Sequence, residues 1–339
     1  MYWKAITCFL IKIVEASMSF VIVVFVVTTN AGCFASHRAT VLEPIPSGYS
    51  TNAIVISTDG KKLIVPHPKG VAWLDASTGV LLDTWNAPTG EDYRCLSLSK
   101  NNDYLAAASW DGIVTVWKVS DPEKSVATPQ VPEDDSFMAV LLLNDDHTIV
   151  TGSTEGKLLL WDRSNGQKIA ELGAHPRAIR SLAQSPKGEF VFSASMYSDV
   201  SMWDVRTQKL VKSFNSFDRF VQTLAVSPDG RMLATGDNQG TIHIWNIDDQ
   251  SLIVKLTVPD SVYRVVFNST GTQLIAAVGR PKLIFNTTGH IHIWDVAKWR
   301  KRASFAAHEG FICSLTIAPQ SGTVFSVGHH RTLMAHDLP

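Results

Sequence analysis

The segments VSMWD at 200–204, IHIWN at 242–246 and IHIWD at 291–295 each place a tryptophan near the end of a short, alternating run. Alternation with a period of two is typical of a β-strand. Related segments are VAWLD at 71–75, VTVW at 114–117, LLLWD at 158–162 and LMAHD at 333–337, the last with His336 in the tryptophan place. These positions are 42 to 49 residues apart, and such a period built only of short strands predicts a β-propeller.

A second repeated feature precedes most of these segments and ends in glycine. It reads STDG at 57–60, SPKG at 185–188, SPDG at 227–230, NSTG at 268–271 and APQSG at 318–322. Glycine reaches the positive φ that a tight hairpin needs, and proline presets the turn. Each unit is therefore predicted to be a meander of four strands.

The composition excludes several classes of protein. With 339 residues, 45% of them hydrophobic and 18% charged, the chain can bury a sizeable core and is too apolar to be disordered. Lys and Arg number 30 against 31 Asp and Glu, so no global basic field exists to hold nucleic acid. The 4 cysteines lack the paired short spacing of a zinc or redox motif. We expect no nucleic-acid partner, no metal and no cofactor.

Over about residues 39–339, the seven copies resemble the WD40 repeat family, including literal Trp–Asp pairs at 161–162, 203–204 and 294–295. The resemblance implies an all-β, seven-bladed propeller of four-stranded antiparallel blades. In that family a blade often carries a hydrogen-bonded set of His, Ser or Thr, Asp and Trp. Here His175 and His308 occupy the His place, but Tyr197 and His330 occupy the corresponding Asp places. No complete set is expected, and the blades should depend on apolar packing.

Ring closure makes a further prediction. The last copy ends directly after its third strand and therefore lacks an outer strand. The segment at about 39–43, before Pro44 and Pro46, has strand character. It is predicted to pair as the outer strand of blade seven, which closes the ring and leaves few exposed edges.

The N-terminal segment differs from everything after it. Lys4 and Lys12 are followed by a charge-free apolar run at 18–27, a pattern that resembles a secretory signal. The run is shorter than the ~20 residues of a spanning helix. Initiation at Met18 would remove both lysines and weaken the signal.

The junction TNAGC at 29–33 resembles the lipobox of bacterial lipoproteins, in which Cys33 would carry the lipid. Asn30 departs from that pattern, which usually has an aliphatic residue there. Cleavage after Ala31 or Ala35 and a retained anchor are the alternatives. We therefore divide the chain into a signal peptide, lipoprotein signal or membrane anchor at 1–33, a linker and closing strand at 34–50, and the propeller at 51–339.

Catalytic motifs are absent from the sequence. There is no Gly-x-Ser-x-Gly elbow, phosphate loop, His-Glu-x-x-His or Cys-x-x-Cys. The remaining candidates are histidines: His290 and His292 on one strand, and His329, His330 and His336 near the C-terminus. No carboxylate or thiolate is spaced to complete a metal site with them. We expect a protein that is not an enzyme; the alternative is a propeller enzyme or a small-ligand or metal-binding protein that uses the central channel.

The WD40 resemblance implies a partner surface on the face that carries the turns before the first and third strands. When the copies are aligned on their turn residues, one residue of each copy is predicted to lie near the channel. The residue two positions before it in the chain is predicted to lie on the same face. Arginine and aromatic residues are favoured at binding hot spots. The predicted partner-binding residues are Arg94, Trp110, Phe137, Arg180, Phe220, Gln222, Tyr263 and Phe311. Alternatively, the phenylalanines fill space between blades and the arginines are solvated.

The basic run KWRKR at 298–302 follows the sixth tryptophan segment and is predicted to form a turn on the opposite face. The closing strand would enter from that same face. Arg300, Lys301, Arg302 and Cys33 would then lie near one membrane, where each basic side chain gains ~1 kcal/mol beside anionic headgroups. The alternative is an ordinary solvated turn.

Together these features predict an exported, monomeric, non-catalytic scaffold that is membrane-tethered or secreted to the periplasm or beyond. A rigid propeller face would present side chains to a protein or peptide partner with little ordering cost. A mistaken start codon, and hence an intracellular domain, remains open, because a chain without disulfides fits both compartments.

Overall fold

Each tryptophan segment forms the third strand of a four-stranded antiparallel sheet. The computed structural model describes residues 38–45, 52–87, 92–127, 135–196, 199–214, 219–280 and 288–338. Seven such sheets, or blades, follow one another along the chain. The all-β, seven-bladed propeller predicted from the sequence is confirmed.

The first four blades have these strands, after the N-terminal strand β1 (Arg38–Val41). Blade one contains β2 (Val55–Ile56), β3 (Lys62–His67), β4 (Gly70–Asp75) and β5 (Leu81–Asn86). Blade two contains β6 (Tyr93–Leu98), β7 (Tyr104–Ser109), β8 (Val114–Lys118) and β9 (Asp121–Ala127). Blade three contains β10 (Phe137–Leu142), β11 (Thr148–Ser153), β12 (Lys157–Asp162) and β13 (Lys168–Ala174). Blade four contains β14 (Ile179–Gln184), β15 (Phe190–Ser195), β16 (Val200–Asp204) and β17 (Lys209–Phe214).

The last three blades continue the pattern. Blade five contains β18 (Val221–Val226), β19 (Met232–Asp237), β20 (Thr241–Asn246) and β21 (Leu252–Thr257). Blade six contains β22 (Ser261–Phe267), β23 (Gln273–Gly279), β24 (Thr288–Asp295) and β25 (Arg300–Glu309). Blade seven contains β26 (Ile312–Ile317), β27 (Val324–Gly328) and β28 (Leu333–Asp337) together with β1.

The blades form a closed ring around a central channel. The first strand of each blade, innermost in the ring, contacts the innermost strand of the next blade, and β2 contacts both β6 and β26. Within the described residues, the buried apolar side chains form seven clusters, one between each pair of adjacent blades. The channel is therefore lined by innermost strands, and the apolar core lies between blades rather than at the centre.

Strand β1 closes the ring as predicted. It pairs antiparallel with β28, with Arg38 opposite Asp337 and Val41 opposite Met334. Leu42 extends the pairing through a 3.0 Å hydrogen bond from its N–H to the Leu333 carbonyl, and its side chain is buried in the cluster between blades seven and one. The first described strand thus completes the last blade.

Blade four carries a complete hydrogen-bonded set, contrary to the sequence-based expectation. Trp203 Nε1 donates to Ser193 Oγ at 2.7 Å, and Ser193 Oγ lies 2.6 Å from His175 Nε2. His175 Nδ1 lies 2.7 Å from Asp199 Oδ2. The expected position, Tyr197, is outside the described residues. The carboxylate comes instead from the residue directly before the third strand, where it reaches the buried histidine.

Blade seven carries a related network without a tryptophan or a carboxylate. His336 Nε2 and His308 Nε2 each lie 2.7 Å from Ser326 Oγ, and His308 Nδ1 lies 2.6 Å from Thr332 Oγ1. A serine hydroxyl has one proton, so Ser326 donates to at most one of the two imidazoles and accepts a hydrogen bond from at least one of them. His330, the residue expected in the Asp place, is not a member. His336 therefore replaces tryptophan as a buried hydrogen-bonding side chain.

The blade-seven network should make stability depend on pH. Burial lowers the pKa of His308 to about 4, whereas an unfolded histidine titrates near 6.5. Between these values the unfolded state binds more protons, so stability falls on acidification by up to about 3 kcal/mol. Urea unfolding of the wild type between pH 7 and pH 4 measures this slope.

A matched pair of variants isolates the contribution of His308 to that slope. His308→Gln should reduce the dependence of the unfolding free energy on pH, leaving the part due to the buried His292, whereas His147→Gln, at an exposed position, should leave the slope unchanged. Equal slopes in the wild type and His308→Gln would show that this histidine is not held neutral by burial.

The N-terminal predictions fall largely outside the described structure. The apolar run at 18–27, Cys33 and the boundary at 33 lie before its first described residue, and these assignments stay predictions. Across the ranges given above, no helix is long and apolar enough to cross a membrane.

Candidate functional site

The loops before the innermost strands and the turns between second and third strands meet at one end of every blade, here called the front face. Backbone hydrogen bonds join the two. Trp110 N–H donates to the Asp92 carbonyl at 3.2 Å in blade two, and His329 N–H donates to the Phe311 carbonyl at 3.0 Å in blade seven. The opposite end is the back face.

A β-bulge interrupts the same position of the innermost strand in six blades, just inside the front face. A bulge leaves one residue unpaired and re-aims its side chain. The bulged residues are Arg94, Met138, Arg180, Gln222, Tyr263 and Cys313. Four of the predicted partner-binding residues therefore share one backbone geometry around the channel.

In blade two, Arg94 and Trp110 form a joint surface. The Arg94 guanidinium lies 4.6 Å from the centre of the Trp110 ring, and its Nε donates to Asp92 Oδ2 at 2.9 Å. Trp110 is 45% exposed. The carboxylate and the ring together hold the arginine in place while leaving the indole open to solvent.

In blades six and seven, aromatic rings form a row across the front face. Tyr263 stacks on Phe311 with ring centroids 5.1 Å apart, and Phe311 stacks on His329 at 4.6 Å. His330 extends the row, with its ring 5.4 Å from that of His329. From the sequence, His329 and His330 were candidates for metal ligands, and the repeat pattern gave no sign that they lie beside two predicted partner-binding residues.

The other predicted residues of the front face stand apart from these two groups. Phe220 is 44% exposed at the start of blade five, and Gln222 and Arg180 are half-buried at their bulges. The charge of Arg180 acts on both Cys95 in blade two and Tyr263 in blade six.

The assignment of Phe137 to the partner surface is wrong. Its side chain is fully buried and packs edge-on against Trp161, with ring centroids 6.0 Å apart. The turn of blade three begins at Leu143, whose N–H bonds to the Thr148 carbonyl, rather than at Asn144. A one-residue slip moves a strand residue to the opposite face, so the alignment placed a core residue on the surface.

The basic run is also placed differently from the prediction. The turn occupies 296–299, and Arg300, Lys301 and Arg302 begin strand β25. The Lys301 ammonium lies 5.6 Å from the centre of the Trp294 ring. All three side chains are exposed, and β25 starts at the back face. Cys33, the fourth predicted membrane-proximal residue, is outside the described residues.

The histidine alternatives do not assemble into a metal site. His290 and His292 stack with ring centroids 6.2 Å apart, and burial lowers the pKa of His292 to about 4. His336 is buried in the blade-seven network, away from His329. Among the described residues, no group of three or more His, Cys, Asp or Glu side chains is placed to hold a metal ion.

Three segments of the chain match a family model described as "WD domain, G-beta repeat", at residues 79–118, 166–204 and 208–246. Each segment starts near the outer strand of one blade and ends just after the third-strand tryptophan of the next, at Trp117, Trp203 and Trp245. The chain contains WD40 repeats. The remaining blades of the propeller share the architecture with less of the sequence pattern, most clearly blade seven with its His336.

A solved structure confirms the propeller fold. The β-propeller domain of Cps50 (Swd1) from Myceliophteria thermophila superposes with a TM-score of 0.75, covering 89% of this chain and 100% of that domain. The sequences are 16% identical, so the likeness concerns the fold alone.

Curated relatives match shorter segments. A WD repeat-containing protein 55 homolog of Dictyostelium discoideum is 28% identical over 92 residues, which are 27% of this chain and 22% of the relative. Autophagy-related protein 16 of Arabidopsis thaliana is 25% identical over 148 residues, which are 43% of this chain and 26% of the relative. The matched segments thus span about a quarter of these relatives' lengths. WD40 propellers are generally non-enzymatic scaffolds for protein interaction.

Proposed function

We propose that this WD40 propeller is a non-catalytic scaffold that binds a protein or peptide partner on its front face. The observation that carries the proposal is the exposure of two large aromatic side chains there, Trp110 at 45% and Phe220 at 44%. Exposed aromatic rings beside an arginine have the composition of a binding hot spot. The closed ring holds their backbones rigid, so that little ordering cost opposes binding.

The proposal is tested by capturing crosslinked partners from native cells with matched variants. Trp110→Ser combined with Phe220→Ser should abolish capture of the partners that the wild type retains. The control, Leu82→Ser combined with Leu252→Ser, removes side chains that are 50% and 45% exposed on outer strands. All variants must melt at the same temperature. Identical partner sets for the two double variants would refute the front face as the binding surface.

We further propose that the protein is exported and held at a membrane by its N-terminal segment, with the back face toward the bilayer. The apolar run at 18–27 and the lipobox-like residues at 29–33 support export. The chain enters β1 at the back face, because Arg38 pairs with Asp337 at the end of β28. Arg300 begins β25 at the same face of the neighbouring blade. The partner face would then point away from the membrane.

Charge reversal tests this orientation. Replacing Arg300, Lys301 and Arg302 with Glu should weaken binding to vesicles of anionic lipid, with each lost basic side chain worth ~1 kcal/mol. The control replaces three exposed basic residues of the front face, Arg177, Arg219 and Arg280, with Glu. Equal vesicle binding by both variants would refute the proposed contact between the back face and the membrane. In a separate test, Cys33→Ser shows whether that cysteine carries the lipid tether.

A further inference from the structure

A small cavity opens between blades two and three, near the back face. Its volume is about 160 Å³, and a cavity of about 150 Å³ is large enough to hold a six-carbon ring. Blade two contributes Tyr104, Val116, Lys118, Lys124 and Val126 to its wall, and blade three contributes Arg163. The cavity therefore brings three basic side chains together with apolar ones, away from the front face.

Arg163 breaks the repeat at a position that is otherwise apolar. In each of the first six blades, the residue directly after the third strand donates its N–H to the carbonyl just before the second strand, as Arg163 does to His147 at 2.8 Å. The equivalent residues of the other five blades are Ala76, Val119, Val205, Ile247 and Val296. Each of these packs into the apolar cluster shared with the preceding blade. Only blade three places a charge there.

The Arg163 guanidinium is held in a fixed position. Its central carbon lies 3.5 Å from the centre of the Tyr104 ring in blade two, and its Nε donates to the Asp146 carbonyl. A guanidinium has four further N–H donors on its two Nη atoms. None of these four has a hydrogen-bond partner among the described residues. Because the group is already oriented, little ordering cost opposes the binding of an anion.

The lysines add a second unpaired charge. Lys118 lies opposite Tyr104 in the pairing of β8 with β7, and opposite residues project from the same face of a sheet. Lys124 is neutralised by Asp121, whose Oδ2 lies 2.8 Å from its Nζ. Over the ranges that the structure describes, no carboxylate lies within 4 Å of the charged nitrogens of Lys118 or Arg163.

The inner part of the cavity is apolar. Val116 and Val126 lie opposite each other on β8 and β9. Val116 is buried in the cluster between blades two and three, and Val126 is half-buried, whereas Lys118 and Lys124 are exposed. The unpaired charges therefore lie at the open end, and hydrocarbon lies behind them.

We propose that this cavity binds a carboxylate that carries a short aliphatic chain. The chain would cover Val116 and Val126, and the carboxylate would lie between Arg163 and Lys118, since a guanidinium fork matches the two oxygens of a carboxylate. An inorganic anion would leave the valines uncovered, and a neutral apolar molecule would leave both cations without a partner. The carboxylate belongs either to a free aliphatic acid or to the C-terminal residue of a peptide. The site is separate from the proposed partner surface and does not depend on it.

Titration of the full chain with hexanoate labelled with ¹³C at its carboxyl carbon, followed by NMR, tests the site. The wild type should bind saturably at millimolar concentration, as expected for so small a ligand. Arg163→Gln and Lys118→Gln should each weaken binding about 5-fold to 10-fold, since each removes a charge-assisted contact. The matched control is Arg206→Gln, an exposed arginine in the turn after the third strand of blade four, which should bind as the wild type does. Equal melting temperatures confirm that the variants are folded.

The length of the aliphatic chain tests the apolar part of the site. Hexanoate should bind about 10-fold more tightly than butanoate, because its two further methylene groups are removed from water. Equal binding of the two acids would mean that only the basic surface attracts them and would overturn the site. Failure of the wild type to bind hexanoate, or equal weakening in Arg206→Gln, would also overturn it.

A second arm identifies the source of the carboxylate. It compares the tripeptide Gly-Gly-Leu, with a free or an amidated C-terminus, with hexanoate. Tighter binding of the free tripeptide than of hexanoate, lost on amidation and in Arg163→Gln, assigns the site to the end of a peptide; weaker binding assigns it to a free acid. Partner capture through Trp110 and Phe220 on the front face can succeed or fail independently of these results.

Discussion

Replacing Ser193 with alanine is expected to lower the free energy of unfolding by about 2–4 kcal/mol. The hydroxyl is the centre of the blade-four network, between Trp203 Nε1 and His175 Nε2. Its removal leaves a buried donor and a buried acceptor without partners, and each costs about 1–3 kcal/mol. The loss of one oxygen atom creates too little space to account for such an effect by packing alone. Urea unfolding of the variant at pH 7 measures it.

Ser201→Ala is the matched control for this substitution. Ser201 is buried in β16 of the same blade, and its hydroxyl has no hydrogen-bond partner among the described residues. Its replacement should change stability by less than about 1 kcal/mol. If both variants were equally stable, the polar network would contribute nothing and the blade would depend on apolar packing, as the sequence alone suggested.

Replacing residues 38–44 with a Gly–Ser linker of equal length should lower the melting temperature of the whole propeller by about 10 °C. The change removes the pairing of β1 with β28 and takes Leu42 out of the cluster between blades seven and one. Burial of Leu42 contributes about 2–3 kcal/mol, and each lost backbone hydrogen bond about 1 kcal/mol. Blade seven would be left with an open edge next to blade one. A single cooperative transition at lower temperature is expected, because neighbouring blades share their core.

The double variant Arg38→Ser and Thr40→Ser controls for side-chain effects. Both side chains are exposed, so the backbone pairing and Leu42 remain in place. Its melting temperature should equal that of the wild type. An unchanged midpoint in the linker variant would mean that the ring does not need this strand for closure.

The architecture was predictable because it depends on sequence features that recur from blade to blade. The tryptophan period, the glycine turns and the alternating strands each recur, so that even blade seven was recognised through the position of His336. The closing strand was predicted from the number of strands in each repeat, because a blade that ends after its third strand needs an outer strand from another part of the chain.

The details of the site were less predictable, because they depend on single-residue offsets in turns. Counting from Asn144 rather than Leu143 in blade three placed Phe137 on the surface instead of in the core. Counting back from Trp203 pointed to Tyr197, whereas the structure uses Asp199, two residues later. Which side chain is close enough to make the contact decides such cases. The repeat pattern of a single sequence does not give that information.

Site-specific photo-crosslinking tests the central claim, front-face binding, most directly. A photoreactive phenylalanine analogue is placed at Trp110, at Phe220 or at Leu252, whose side chains are 45%, 44% and 45% exposed. Our account predicts that illumination in native cells joins the same partner to positions 110 and 220 and joins none at 252 on the outer strand. A partner crosslinked at 252 and absent from 110 and 220 would contradict it.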